Sequence, residues 1–254
     1  MKRSLRLFDG EATRFDTERV AVGYRIRYTI IANLLSRIST QGITALDMGC
    51  GTGEYTMLLE RMGYEVVGVD FSKAMLSMCH SKMRGRQNSN QPKFVNSECS
   101  KLPFETDTFD ILTCIAVLDC VPEYNELLGE AYRVLKKNGT FVVCIDSIWS
   151  PSTFCTRARK LFQRRKGNDN TSFLHYKRLM DCMRTSGFII EKFLGDIFLG
   201  QVLTDLLFNP EKNNVTTKIL RIFQPIDSYL TRLSLLKPLS AHYIIQARKS
   251  GEKL

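Results

Sequence analysis

The sequence contains no apolar run long enough to cross a bilayer, which takes roughly 20 residues. Its longest apolar stretch, Ile197 to Phe208, is interrupted by Gln201 and Asp205. The start, Met1 to Gly10, is basic but has no apolar core, so it does not read as a secretory leader. A cytoplasmic protein is expected. Histidine is scarce, with only His80, His175 and His242. The 8 cysteines are Cys50, Cys79, Cys99, Cys114, Cys120, Cys144, Cys155 and Cys182, and they include no CxxC pair. None is spaced with a histidine as a zinc site requires. Reduced, buried thiols are therefore expected, and no metal. There is no internal repeat and no low-complexity tract.

The 254 residues suffice for one large α/β domain with embellishments. Apolar residues make up 44% and charged residues 24%, the balance of a globular protein with a sizeable core. The 36 basic and 26 acidic side chains leave a net charge of +10. That excess suits an acidic substrate, a membrane surface or nucleic acid, and equally suits solubility alone.

Val20 to Ile38 carries apolar residues at helical spacing, within a helical prelude over 1–42. From Ile43 onward, short apolar runs alternate with amphipathic stretches. Strands are predicted at 43–48, 65–69, 93–95, 109–116 and 140–145. Helices are predicted at 56–62, 72–84 and about 122–136, with Ser72 as an N-cap and Asn138-Gly139 as a turn. A helix at 176–185 and strands at 188–193 and 243–247 follow. Strand-helix alternation of this kind builds a parallel sheet covered by helices on both faces, with ligands at the carboxyl ends of the strands.

One loop carries the chemistry. The first strand delivers Asp47, then Gly49-x-Gly51-x-Gly53, then a helix. Glycines let backbone turn sharply and approach a ligand, and the helix start offers amides to a carboxylate or phosphate. Asp70 ends the next strand, where a carboxylate can take both hydroxyls of a ribose. A dinucleotide fingerprint needs Gly-x-Gly-x-x-Gly/Ala, but the sixth position is Glu54 or Thr56, and no Gly-Lys-Ser/Thr is present.

The segment Ala45 to Gly53 resembles the first motif of class I S-adenosylmethionine-dependent methyltransferases. Gly68-Val69-Asp70-Phe71-Ser72 resembles their second motif. Glu98 to Phe104 with Phe109-Asp110 resembles the third, and Glu130 to Phe141 resembles the helix and turn before the fifth strand. The family's usual Pro-Gly-Gly is replaced by Lys137-Asn138-Gly139. The resemblance covers about residues 43–146, more weakly from Ser186 to the end. It implies a Rossmann-like three-layer α/β sandwich, whose seven-stranded, mostly parallel sheet has an antiparallel last strand. One methyltransferase domain would span 1–254, with a helical lid from 151–172 and 197–239.

The resemblance also implies roles. S-adenosylmethionine would be the cofactor, with Gly49, Cys50, Gly51 and Gly53 around its methionine part and Asp47 at its ammonium. Asp70 would hold the ribose, and Phe71 would pack on the adenine. Glu98 would face the adenine amino group, Cys99 would offer its backbone N–H, and Ile115 would lie by the methionine portion. Asp70 or Glu98 as an N-cap, and Phe71 as core, are the alternatives.

The sulfonium is itself the electrophile, so a base is needed only if the acceptor must lose a proton. Asp119, Asp146 and His175 are the catalytic candidates, beside Tyr176. Tyr24 and Arg27 in the prelude are candidates to close over the donor. No Asn/Asp-Pro-Pro-Tyr/Phe follows the fourth strand, which argues against amino-methylation of adenine or glutamine. The acceptor is expected to be a small or lipid-like molecule. The basic cluster between Arg157 and Lys166 reads as a solvated helix face, a membrane-surface contact or an RNA contact. Phe198 to Phe208 reads as core or as an apolar acceptor wall. RNA methylation is the second enzymatic reading, and a non-catalytic methyltransferase-like binding subunit is the third. The motifs set no oligomeric state.

Overall fold

The computed structural model describes residues 22–38, 42–86, 91–121, 124–147, 175–196, 240 and 242–251. The expected lid segments at 151–172 and 197–239 lie outside the described residues, as do the basic cluster, most of the prelude before Val22 and the side chain of Tyr24.

Helix α1 spans Val22–Leu35 and buries Ile31, Leu34 and Leu35, whose spacing puts them on one stripe. Strand β1 (Thr44–Met48) leads through the glycine loop into helix α2 (Glu54–Arg61) and strand β2 (Glu65–Asp70). Helix α3 (Lys73–Met83) begins at Ser72, whose hydroxyl accepts the Met75 N–H at 3.2 Å, so the predicted cap is borne out. Strands β3 (Lys93–Asn96) and β4 (Phe109–Ile115) follow, then a single 3₁₀ turn at Leu118–Cys120. Helix α4 (Tyr124–Val134), strand β5 (Leu135–Asp146), helix α5 (Tyr176–Thr185), strand β6 (Phe188–Asp196) and strand β7 (His242–Lys249) complete the described elements.

The seven strands lie in the order β3-β2-β1-β4-β5-β7-β6. Pairing is parallel from β3 through β5, and β7 runs antiparallel to both neighbours. The Rossmann-like sheet with an antiparallel last strand is therefore what the chain builds. Its order reverses between β1 and β4, which opens a crevice at their carboxyl ends.

Each face of the sheet has its own core. On one face α4 and α5 bring Leu127, Leu128, Ala131, Leu179 and Met183 against Leu46, Leu112, Phe141 and Ile245. On the other, α1 and α2 bring Ile31, Leu35, Leu58 and Leu59 against Ala45, Ile111, Val142 and Ile244. Each such aliphatic side chain contributes about 1.5–3 kcal/mol on burial. The two cores clamp the central strands, so the loops at their carboxyl ends stand on a rigid base.

The largest boundary difference from expectation is at the start of β5. Asn138-Gly139 lies inside β5, with Asn138 in the left-handed region at φ 62. Pairing with β4 jumps from Phe109↔Leu135 to Ile111↔Thr140, so the turn is a register skip within the strand. Asn tolerates that conformation better than other side-chain-bearing residues.

Candidate active site

The glycine loop closes against the turn after β4. Gly49 has φ 70, and a Cβ there would lie 2.4 Å from Val117 Cγ2. Ala116 also has positive φ, at 57, and its N–H donates to Cys144 O at 2.8 Å. That strained crossing carries Val117 onto the loop. The loop is pinned from below, because the Gly49 and Cys50 amides both donate to Val69 O, at 2.8 and 2.9 Å. Gly53 then serves as N-cap of α2 at φ 85 and contributes no side-chain cap, so the helix start suits an anionic group.

Asp70 ties the loop to the following helix. One carboxylate oxygen accepts the Gly51 N–H and the other the Ser72 N–H, both at 2.8 Å. The residue is 6% exposed. A carboxylate offers about four acceptor positions, so two backbone bonds leave it capacity toward a diol.

Asp47 lies deeper, one residue before the end of β1. Thr56 from α2 and Thr113 from β4 donate their hydroxyls to its two oxygens, at 2.6 and 2.8 Å. Burial pushes its carboxyl above the usual range, the two threonine bonds oppose the shift, and nearby Asp70 adds to it. Asp47 thus joins three elements under the loop. Two thiols flank the loop as well: Cys79 Sγ approaches Gly51 O at 3.2 Å, and the Cys50 thiol is pushed well up by the Cys79 contact and by burial.

On the β2–β3 side, Phe71 is half-buried and Glu98 is exposed. Burial pushes the Cys99 thiol up to about 12, with Asp70 and Asp47 adding to the shift. The structure therefore gathers Asp47, Asp70 and Cys99 around one loop, with Ile115 at the end of β4 almost fully buried beside them. Sequence reasoning missed Asn96. Its amide donates to Asp70 O and Phe71 O, both at 3.0 Å, and so holds the turn that presents both residues. Register pairs it directly with Asp70, and an Asn ending a strand beside that acid was the available signal. Val117 gave no signal at all.

The three catalytic candidates diverge. His175 caps α5: its Nδ1 accepts the Lys177 N–H at 3.3 Å, and its ring stacks on Tyr176 at 5.0 Å. Tyr176 in turn packs on Phe193 and Tyr243. Asp119 is 3% exposed and accepts the Asp146 N–H at 3.0 Å, which fixes the end of β5. The Asp146 side chain is half-exposed at that edge. Its Oδ1 lies 3.7 Å from Arg27 Nη1 and 3.6 Å from His242 Nε2. Arg27 also acts on Tyr55, whose phenol burial pushes up to about 12 while Arg27 opposes the shift.

Among the described residues, no group of three or more His, Cys, Asp or Glu could hold a metal ion. The seven described cysteines are free thiols. No described helix is long and apolar enough to cross a membrane. The site offers buried carboxylates beside a glycine loop and a helix start without a side-chain cap. That donor set fits a ligand carrying an ammonium, a carboxylate, a diol and a positive centre.

Comparison with known proteins agrees. Residues 46–143 match the family model described as a methyltransferase domain. The chain is 35% identical over 145 residues to the demethylmenaquinone methyltransferase of Oceanobacillus iheyensis, covering 56% of this chain and 60% of that relative. It is 31% identical over 150 residues to the enzyme of the same name from Lactococcus lactis subsp. lactis, covering 58% and 59%. The chain thus spans about three fifths of the length of these curated relatives. Among solved structures, an S-adenosylmethionine-dependent methyltransferase from Thermotoga maritima superposes with TM-score 0.62 at 19% identity, covering 97% of this chain and 99% of that one. The cyclase SpnF superposes with TM-score 0.59 at 19% identity, covering 87% and 80%. The fold is common to both, so the fold alone does not name the reaction.

Proposed function

We propose that this chain, which carries a class I S-adenosylmethionine-dependent methyltransferase domain, transfers a methyl group to a small or lipid-like acceptor in the cytoplasm. The observation that carries the reading is the bond from Gly51 N–H to Asp70. It couples the glycine loop to Asp70, the acid we read as the ribose ligand, at the crevice where strand order reverses.

Gly49, Cys50, Gly51 and Gly53 would hold the methionine part, with the α2 start toward its carboxylate and Asp47 toward its ammonium. Asp70 would take the ribose hydroxyls. Phe71, Glu98 and the Cys99 N–H would bound the adenine, and Ile115 would wall the methionine portion. S-adenosylmethionine supplies an activated methyl on a sulfonium, and the protein's task is alignment of the acceptor and exclusion of water. The carboxyl edge of β5, with Asp146, is the acceptor side. The lipid-like acceptor is drawn from the relatives that act as demethylmenaquinone methyltransferases. A net charge of +10 favours contact with an anionic membrane surface while such an acceptor is taken up. We read 1–254 as one methyltransferase domain, with 151–172 and 197–239 as its lid or acceptor-site insertions.

Calorimetry with S-adenosylmethionine, followed by transfer to a short-chain demethylmenaquinol, tests this. Saturable binding is expected, weakened at least about tenfold by Asp70→Ala, the loss of one or two charge-assisted hydrogen bonds. No heat from the folded chain refutes it and leaves the binding-subunit reading.

A further inference from the structure

Three charged or titratable groups from distant parts of the chain converge at the carboxyl edge of the sheet. β5 ends at Asp146 and β7 begins at His242, and the antiparallel register pairs these two residues directly. Cross-strand partners share a face, and here His242 Nε2 reaches to 3.6 Å from Asp146 Oδ1. On its other side, the register partner of His242 is Asp196 on β6. The third group is Arg27 of α1, 3.7 Å from the same Asp146 oxygen. Arg27 is 13% and His242 18% exposed at the side chain, whereas Asp146 is 50% exposed. Arg27 and His242 are thus largely shielded, while part of the Asp146 side chain reaches the surface.

Its position relates it to methyl transfer. Arg27 acts on Tyr55, the second residue of the helix that follows the glycine loop. β5 is bonded to the end of β4 through Ala116 N–H to Cys144 O, and Val117 beyond it touches the loop. Asp119 of that same turn accepts the Asp146 N–H. The cluster is therefore built onto the donor loop by two routes, α1–α2 and the turn after β4. The charged and titratable groups placed around the imidazole are Asp146 on β5, Arg27 on α1, Tyr55 on α2 through Arg27, and Asp119 in the 3₁₀ turn; the register position across β6 is Asp196.

We infer that His242 is the proton acceptor of the reaction, and that its acceptor substrate carries an ionisable hydroxyl. This rests on the methyltransferase reading above. The hydroxyl O–H bond breaks and its proton passes to an imidazole nitrogen. The electron pair left behind, on oxygen or on the conjugated ring carbon that shares its charge, forms the bond to the donor methyl. The pair of the methyl–sulfur bond stays on sulfur. The imidazole becomes an imidazolium, whose charge Asp146 balances. Asp146 is the positioning residue beside the ring, and Arg27 Nη1 lies 3.7 Å from the same carboxylate oxygen. An imidazole is the side chain suited to accept a proton at neutral pH.

The test is the pH dependence of kcat/KM for wild type, His242→Gln and Asp146→Asn, with a short-chain demethylmenaquinol as probe and calorimetric S-adenosylmethionine binding on each protein. Donor affinity should stay within about threefold in all three. His242→Gln should lower kcat/KM by roughly 10²–10⁴-fold, the usual worth of a general base, and should abolish the acid limb of the profile. Asp146→Asn should move that limb while leaving it present. Activity of His242→Gln within threefold of wild type, or a profile unchanged in shape, overturns the inference and leaves the function standing. If His242→Gln fails to fold, Asp146→Asn decides: an unmoved acid limb overturns it. Wild type that binds donor yet never methylates the probe overturns this inference and the acceptor reading together. Wild type that binds no donor overturns the methyltransferase reading itself.

Discussion

Replacing Gly49 by alanine should damage the loop in two separable ways. The residue sits at φ 70, where a side chain costs about 1–2 kcal/mol against a right-handed or extended alternative. The new Cβ would also stand 2.4 Å from Val117 Cγ2, and 3.0 Å from Cγ1. No real contact is that short, so the loop or the turn after β4 must move. Overpacking of this kind costs about 1–3 kcal/mol. The two together give about 2–5 kcal/mol, a large share of the about 5–15 kcal/mol that holds a domain together. The Gly49 and Cys50 amides hold Val69 O, so displacement of the loop also loosens its tie to β2.

Val117→Ala separates the terms. Val117 is only half-buried, so its own truncation costs little. In the double variant the two overlaps with the Val117 methyl groups are removed and only a 3.3 Å approach to Val117 Cβ is left, while the backbone strain remains. Urea unfolding of the four proteins should show a coupling of about 1–3 kcal/mol in favour of the double variant. Calorimetry should show donor binding lost in Gly49→Ala and partly recovered in the double variant. Gly49→Ala within 0.5 kcal/mol of wild type (about the scatter of a neutral surface change) would refute the close approach, and zero coupling would refute the Val117 contact.

His175→Ala should cost about 1 kcal/mol through the lost helix cap, with His175→Asn restoring most of it and kcat unchanged in both; a hundredfold fall in kcat would return His175 to the chemistry. Asp47 has its carboxyl raised by burial, so the folded chain binds that proton more tightly than the unfolded chain does. Its contribution to stability therefore falls as pH rises from the ordinary carboxylate value through the raised one, then levels. Asp47→Asn should flatten that part of the unfolding profile, and an unaltered slope would contradict it. Lys249 is 6% exposed, and its ammonium meets Asp107 Oδ1 and Leu135 O at 2.6 Å each. Lys249→Met should lower stability by about 1–3 kcal/mol, the cost of a buried acceptor left without its donor, measured by urea unfolding at neutral pH.

What could be read from sequence, and what could not, follows from chain distance. The donor loop was legible because Asp47, Gly49, Gly51, Gly53 and Asp70 lie within one strand-loop-helix-strand unit. Local backbone demands force those residue types at that spacing. The parallel sheet was legible for the same reason, each apolar run being a strand buried on both faces. The skip within β5 was not, because Asn138-Gly139 looks the same in a turn between elements as in a turn inside a strand. Asp119 and His175 stood out as polar residues at promising places. Polarity alone could not say that one would brace a backbone amide and the other cap a helix.

On the acceptor side, Asp146 and Arg27 were named from the sequence but their association with His242 was not, for a stronger reason. Arg27, Tyr55, Asp146 and His242 come from four separate elements, and only the sheet's register brings two of them side by side. His242 was visible as one of three histidines, yet nothing within a dozen residues of it suggests a partner. β7 makes the difference by running antiparallel. A parallel last strand would have put its first residue at the opposite, amino edge of the sheet, far from the donor loop. Because β7 alone reverses, its opening residue arrives beside the last residue of β5, at the edge where methyl transfer would occur. The antiparallel last strand thus does more than close the sheet: it lets a late segment contribute a side chain to a site otherwise built from the ends of the parallel strands.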